Sequence, residues 1–534
     1  MTANLADLLS RASATSPDTV ALVGVEGPDR EVSLTWRELD DLASRLASGL
    51  ERLGLVAGNR VALATANRVE FVALYFAVLR ARLVAVPVNP RSATGELLRV
   101  VSDSGARLLV VDASTAESGR SVVSGVQEAL AASPERPPTS TLRAAPRLLV
   151  LDVPVREGEA AYADLESGEP TVLPESVDPE ALAVLLYTSG ASGRPRAAML
   201  THRALLANVE QVARIEPAMV GPDDVLYGVL PLFHVYGLNA VLGAVVRQAA
   251  RLVVVDGFDA ERSLEQVQRH GVTIVPIAPA VLAYWRTVED LRARLSGVRM
   301  LLSGSAPLAP ELVEEFVDRT GVAVHQGYGL TEAAPVVTST IGSPRVKRGS
   351  VGVAIPGVSL RLVDETGRAP EGEDPGEIWV SGDNLFSGYW PDRAEAPVEG
   401  WLATGDVGFL DGDGDLFLVD RLKELVIVSG FNVYPSEVED VIEEVEGVRE
   451  VAVVGVPDER TGEAVVAYVR PVDPAADPDQ VRAAVEEACA RRLARFKQPT
   501  RVEVVEALPR TVTGKVAKGR LRATLRRERL GLIE

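Results

Sequence analysis

Tyr187-Thr188-Ser189-Gly190-Ala191-Ser192-Gly193-Arg194-Pro195-Arg196 is the stretch around which the rest of the chain reads. It follows an apolar run, 181–186, with the length and composition of a buried strand. Two glycines let backbone N–H groups turn inward, small hydroxyls add donors, and a cation closes the segment. Those are the parts of a polyphosphate cradle. It is not a Walker A loop, because G-x-x-x-x-G-K-[ST] does not thread through it. By composition alone, a polar surface loop between a strand and a helix fits equally well.

Upstream, strand-like and helix-like segments alternate. Thr35-Trp36-Arg37-Glu38 has capping-box spacing, and Leu39, Leu42, Leu46 and Leu50 recur at helical intervals up to Gly54. Patterning predicts strands at 60–65, 83–88 and 108–112, helices at 69–80 and 96–104, and an exposed loop at 133–146. The alternation implies a parallel sheet with helices on both faces, and it resumes downstream to about residue 345. After Gly349, short strands at 360–364, 376–381 and 416–419 suggest an antiparallel section. Asp411-Gly412-Asp413-Gly414-Asp415 lacks the Gly and closing Glu of a calcium loop, so an acidic hairpin turn is expected. Past a boundary at 420–423, Ser436-Glu437-Val438-Glu439 should cap a helix with Val438, Val441, Ile442 and Val445 inward. Strands at 451–456, 465–470 and 502–505 follow, with a helix at 478–493 capped by Asp477 and led by Pro478. The fold class expected is α/β: a large domain over 1–420, with parallel subdomains and an antiparallel β section, then a small α+β domain over 424–534.

The 534 residues exceed one ordinary core. A net charge of -20 argues against general nucleic-acid binding and against an anionic membrane surface. One cysteine, Cys489, and four scattered histidines make a disulfide impossible within the chain and a zinc site unexpected. Residues 1–14 lack a basic segment followed by an apolar core, and no apolar run approaches the ~20 residues of a membrane span. The ending Leu-Ile-Glu is not a peroxisomal tripeptide. A cytoplasmic enzyme is the expectation, with peripheral membrane contact left open.

Five further segments, with the first, resemble the signature motifs of the adenylate-forming superfamily of acyl-CoA synthetases, luciferases and adenylation domains. They are Pro231-Leu232-Phe233-His234-Val235-Tyr236-Gly237, Gln326-Gly327-Tyr328-Gly329-Leu330-Thr331-Glu332, Thr404-Gly405-Asp406, Asp420-Arg421-Leu422-Lys423-Glu424, and Leu508-Pro509-Arg510-Thr511-Val512-Thr513-Gly514-Lys515. They stand in the family order across residues 187–515.

The resemblance implies that a carboxylic acid and ATP give acyl-AMP and pyrophosphate, after which the acyl group passes to coenzyme A. It implies that Thr188, Ser189, Gly190, Ala191, Ser192, Gly193 and Arg196 hold the phosphates, and that Glu332 and Thr188 hold Mg²⁺. Gln326, Gly327 and Tyr328 would frame the adenine, with Thr331 in the nucleotide set, and Asp406 and Arg421 would bind the ribose. Lys515 would be the catalytic cation between carboxylate and α-phosphate, a task suited to a compact ammonium on a flexible stem. Lys423 would be the hinge, within 421–423, on which a mobile small domain turns between the two half-reactions. Ser429, Gly430 and Phe431 would line the CoA tunnel. His234, Tyr236, Gly237, Ala240, Gly329 and Ala334 would border the acyl pocket, His234 at its carboxylate end.

The chain departs from the family's Thr-Ser-Gly-Thr-Thr-Gly-x-Pro-Lys-Gly at four positions. Ala191 and Ser192 replace two Thr, Arg196 replaces Lys, and Ala197 replaces Gly. Residues 233–237 carry no acidic side chain to pair with a substrate amine, which favours a neutral acid over an amino acid, with a fatty acid the first expectation and an aryl acid the second. The competing readings are an acyl-AMP ligase that loads a carrier-protein phosphopantetheine, a light-emitting oxidase of an adenylate, and a noncatalytic nucleotide-binding protein.

Overall fold

The computed structural model describes residues 4–25, 30–132, 141–170, 178–188, 196–305, 308, 310–364, 367–370, 376–421, 426–509, 516, 518 and 521. It does so without the side chains of Val419, Asp420, Arg421, Asn432 and Ser436. Of the expected site residues, Ser189, Gly190, Ala191, Ser192, Gly193, Lys423 and Lys515 lie outside the described residues, as does the side chain of Arg421.

The chain is an α/β protein with a large N-terminal part built on two mostly parallel sheets, an antiparallel section, and a small C-terminal domain. The first sheet runs, edge to edge, Ala160–Ala161, Arg147–Val150, Leu108–Val111, Arg60–Ala64, Val84–Pro87, Leu182–Thr188, Arg196–Thr201. All its neighbours are parallel except the last pair, so 189–195 join two antiparallel strands. This corrects the strand-to-helix alternative for that loop. The strand Arg196–Thr201 forms because Trp390 and Leu182–Thr188 hydrogen-bond its backbone, although Ala, Met and Leu there are good helix formers.

The second sheet has nine strands, parallel through its centre at Ala323–Gly329, Met300–Ser303, Ile274–Ile277, Val225–Gly228, Arg251–Val255 and Val20–Val25. Residues near the N-terminus therefore cross over to pair with residues some 230 positions later, and the two sheets share one apolar core. Trp36–Arg52 starts as its sequence dictates: Thr35 accepts from Glu38 N–H, Glu38 accepts from Thr35 N–H, and Leu39, Leu46 and Leu50 are fully buried. Thr94–Ser104 ends at Gly105, φ 62°, where Arg60 donates to the carbonyls of Ser104 and Gly105.

The antiparallel section pairs Val358–Val363, Gly376–Gly382, Trp401–Leu410 and Leu416–Arg421 in that order. Residues 411–415 close a hairpin there, and the Lys347 ammonium occupies the centre of its carboxylates, 2.6 Å from Asp411, 2.6 Å from Asp413 and 3.2 Å from Asp415. The small domain's sheet begins at Val426. Its helix Pro435–Glu443 starts one residue before Ser436, with Tyr434 at the cap, so the expected Ser436 cap is corrected. Proline at the first helical position already sets φ for the helix. Asp477 does cap Pro478–Arg492, accepting from Asp479 N–H.

His202 sits in the core, 1% exposed, and its Nδ1 accepts the N–H of Leu5, 197 residues away. Burial lowers its pKa to about 4. An unfolded histidine titrates near 6.5, so the unfolded chain takes up this proton first and stability falls as pH drops from about 6.5 towards 4. The loss attributable to His202 is on the order of 2 kcal/mol at pH 5. His202→Asn should therefore lose less denaturant resistance than the parent between pH 7 and 5. Equal losses in the two proteins would contradict this assignment.

Candidate functional site

The carboxyl ends of the central strands in the nine-stranded sheet converge on one cleft, the usual place for a ligand in an open α/β sheet. Residues 231–237 follow Val225–Gly228, Ala278 follows Ile274–Ile277, Gly304 follows Met300–Ser303, and Glu332 lies just past Ala323–Gly329. Residues 236–241 form one wide π turn, Tyr236–Val241, a feature often found at functional sites.

Inside that segment, Tyr236 N–H donates to His234 Nδ1 at 3.2 Å. An acceptor nitrogen carries no proton, so the ring proton lies on Nε2, where it can be donated. Burial lowers the His234 pKa to about 4, and the imidazole is neutral at pH 7. The Tyr236 hydroxyl donates to Leu302 O at 2.8 Å, and its ring lies against the open Cα of Gly304. Gly237 and Gly329 answer to backbone crowding: a Cβ on either would sit 2.3 Å from a carbonyl oxygen, of Pro231 and Pro335 respectively. Ala334 is fully buried in the turn beyond Glu332, and Ala240 is half-buried.

Glu332 is held from several sides. Its backbone carbonyl accepts from Phe386 N–H at 2.8 Å, and its side-chain Oε1 accepts from the Tyr389 hydroxyl. Three buried amides fix the residues after it. Asn384 donates to Ala333 O (2.7 Å), Asn239 to Ala334 O (2.7 Å), and Asn208 clasps both backbone groups of Val336. Arg196 stacks on the same tyrosine, its guanidinium carbon 3.7 Å from the ring centre, and pairs with Glu395 at 2.6 Å. One ring thus joins the cation that closes the phosphate-type loop to the carboxylate across the cleft. Thr188 ends the neighbouring strand, 9% exposed. Glu332 and Thr188 present hard oxygens, the donor type that Mg²⁺ takes together with phosphate.

Gln326, Gly327 and Tyr328 lie along the strand Ala323–Gly329, and Thr331 opens the short turn Thr331–Ala333. A Cβ on Gly327 would lie 2.8 Å from Thr338 O, so only glycine allows that strand pairing. The Tyr328 hydroxyl donates to Asp406 Oδ2 at 2.7 Å, tying the nine-stranded sheet to the antiparallel section. Asp406 and Arg421 are directly opposite one another in the register of two consecutive antiparallel strands, Trp401–Leu410 and Leu416–Arg421.

On the small domain, Ser429 and Gly430 both have positive φ, 51° and 82°, and turn the backbone sharply towards the large lobe. The Gly430 Cα faces Ala278 and Ser305. Phe431 stacks between Phe233 (6.2 Å between ring centres) and Phe496 (4.6 Å). The structure therefore brings the 429–431 corner to the segment that carries His234. Sequence reasoning missed Tyr389, the three asparagines and Phe496, because none belongs to a local pattern with a chemical signature.

The chain is similar to known proteins over most of its length. Residues 9–390 match the family described as AMP-binding enzyme, and residues 437–515 match AMP-binding enzyme C-terminal domain. The chain is 37% identical over 502 residues to a feruloyl-CoA synthase of Amycolatopsis sp, covering 92% of this chain and 94% of that protein. It is 33% identical over 513 residues to 4-coumarate-CoA ligase 1 of Narcissus pseudonarcissus, covering 93% and 89%. Among solved structures it resembles the amide bond synthetase McbA from Marinactinospora thermotolerans, with TM-score 0.83, 30% identity, and 98% and 99% of the two chains covered. It also resembles a Mycobacterium tuberculosis fatty acyl CoA synthetase, with TM-score 0.68, 30% identity, and 98% of both chains covered.

Removing the tyrosine hydroxyl leaves the Glu332 carboxylate one donor short, a loss of about 1–1.5 kcal/mol. Tyr389→Phe should raise the KM for MgATP roughly five- to tenfold while leaving the KM for the acid within twofold. An unchanged KM for MgATP in steady-state kinetics would remove Tyr389 from the site.

Proposed function

Because this chain belongs to the AMP-binding enzyme family and is an adenylate-forming acid–CoA ligase, we propose that the acid it activates is a flat, uncharged aryl acid of the arylpropenoate type. Tyr236 carries this reading. Its hydroxyl is committed to Leu302 O and its ring to Gly304, so it stands as a fixed planar wall with no polar group left to offer. Leu302, Leu330 and Val336, each partly buried, pack with it in the same apolar cluster. A flexible aliphatic chain gains less from a fixed plane than a conjugated ring does, since offset stacking is worth about 0.5–1.5 kcal/mol beyond area burial. The relatives named for coumarate and ferulate support the same choice, and the fatty acyl relative is the reason to test the other.

In this reading ATP and CoA are the other substrates. The acid's carboxylate lies against the neutral His234 Nε2–H and attacks the α-phosphorus, and the bond from phosphorus to pyrophosphate breaks. Lys515 supplies positive charge as the carboxylate meets the anionic phosphate. Mg²⁺, held by Glu332 and Thr188, would neutralise phosphate charge when bound. Gln326, Gly327, Tyr328, Thr331, Asp406 and Arg421 position the nucleoside. The thiol sulfur of CoA then attacks the acyl carbon beside Ser429, Gly430 and Phe431, and AMP leaves. Lys423, in the hinge at 421–423, lets the small domain serve the two steps in turn.

Three experiments test this. Across a panel of acids, kcat/KM for arylpropenoates should exceed that for medium-chain fatty acids at least tenfold; the reverse order would overturn the aryl reading. The panel run with an amine or a carrier phosphopantetheine in place of CoA should give no acyl transfer faster than CoA does. Lys515→Ala should lower acyl-AMP formation by at least a hundredfold yet spare thioester formation from supplied acyl-AMP. Equal loss in both steps would reassign Lys515.

A further inference from the structure

Two lobes meet at a set of buried charges that lie outside the nucleotide-binding motifs above. Lys497 lies on the short turn Arg495–Lys497 of the small domain and is 9% exposed. Its ammonium is 2.7 Å from Glu437 Oε1, on the helix Pro435–Glu443 of the same domain. It is also 3.0 Å from Oε1 of Glu96, 401 residues earlier, on the helix Thr94–Ser104 of the large lobe. Both carboxylates are buried. Arg99, one turn beyond Glu96, acts electrostatically on Glu437. Each lobe thus brings one cation and one anion; Lys497 bridges the carboxylates of both lobes, and Arg99 acts on Glu437 at longer range.

The Glu96 carboxylate is set in place before the small domain reaches it. Its Oε2 accepts the N–H of Ala93 at 3.1 Å, which starts the helix and aims Oε1 outward. On the other side, Lys497 directly follows Phe496, whose ring stacks on Phe431, which stacks in turn on Phe233 beside His234. The ion pair and the aromatic stack therefore share one turn of the small domain, and fixing Lys497 fixes the 429–431 corner.

We propose that Glu96 is a positioning residue for the thioester-forming half-reaction: its bond to Lys497 holds the small domain where Ser429, Gly430 and Phe431 face the acyl site. The bond exists only in this orientation of the lobes, because Glu96 belongs to one and Lys497 to the other. Separation takes the desolvated Glu96 carboxylate away from its cation and leaves Lys497 with Glu437 alone, so the orientation is favoured as long as both charges are present. The inference rests on the two-step reading given under Proposed function.

Glu96→Gln keeps an acceptor for Ala93 N–H and so keeps the helix start, while removing the charge. Thioester formation from supplied acyl-AMP should fall about tenfold in kcat, with the KM for CoA within threefold of the parent. ATP–pyrophosphate exchange, which reports the first step, should stay level or rise. Lys497→Gln should show the same split, and the double variant should lose no more than either single one, as expected for partners in one interaction. Equal losses in both steps, no change in either, or additive losses in the double variant would overturn the proposal. A parent protein inactive in both steps with every acid would instead overturn the two-step reading itself.

Discussion

The site depends on keeping one carboxylate still. Glu332 stands on a turn that by itself has only three residues of helical structure, Thr331–Ala333. Its backbone would be mobile without the amides of Asn208, Asn239 and Asn384, at most 1% exposed each, which satisfy the carbonyls of Ala333, Ala334 and Val336. A buried amide left unpaired costs about 1–3 kcal/mol, so each of these bonds is strongly selected over its loss. The three come from the helix His202–Val212, from the wide turn Tyr236–Val241, and from the antiparallel section. The turn is thus where three parts of the large lobe agree on one geometry.

From that fixed point the rest of the cleft follows. Tyr389 reaches from the antiparallel section to the Glu332 side chain and carries Arg196 on its face. Tyr328 reaches the other way to hold Asp406, whose register partner is Arg421. The residues expected to take phosphate, ribose and acyl group are therefore spaced by strands and rings. The neutral His234, with its proton directed to Nε2 by the Tyr236 backbone, completes the set with a donor that does not change charge near pH 7.

The motifs were legible in the sequence because phosphate and ribose chemistry demands particular residue types at short spacings. The parallel sheets were legible from apolar runs at regular intervals, as at 60–65 and 108–112. The pairing of Val20–Val25 with Arg251–Val255 was not, since nothing local in either strand specifies the other. The strand Arg196–Thr201 could not be told from a helix by propensity; its partners decide it. Ser436 looked like a helix cap until Pro435 took the first helical position. Tyr389 lies 57 residues from Glu332, and Lys497 lies 401 from Glu96. Such long-range polar pairs leave no periodicity for the sequence to show.

The central claim is that the acid's own oxygen bonds to the α-phosphorus within this cleft. The most direct measurement is mass spectrometry of the nucleotide product after turnover of an arylpropenoate labelled with ¹⁸O in both carboxylate oxygens. The account predicts AMP carrying one ¹⁸O, together with unlabelled pyrophosphate and an acyl-CoA that retains the other. Unlabelled AMP, or label in ADP or inorganic phosphate, would contradict it.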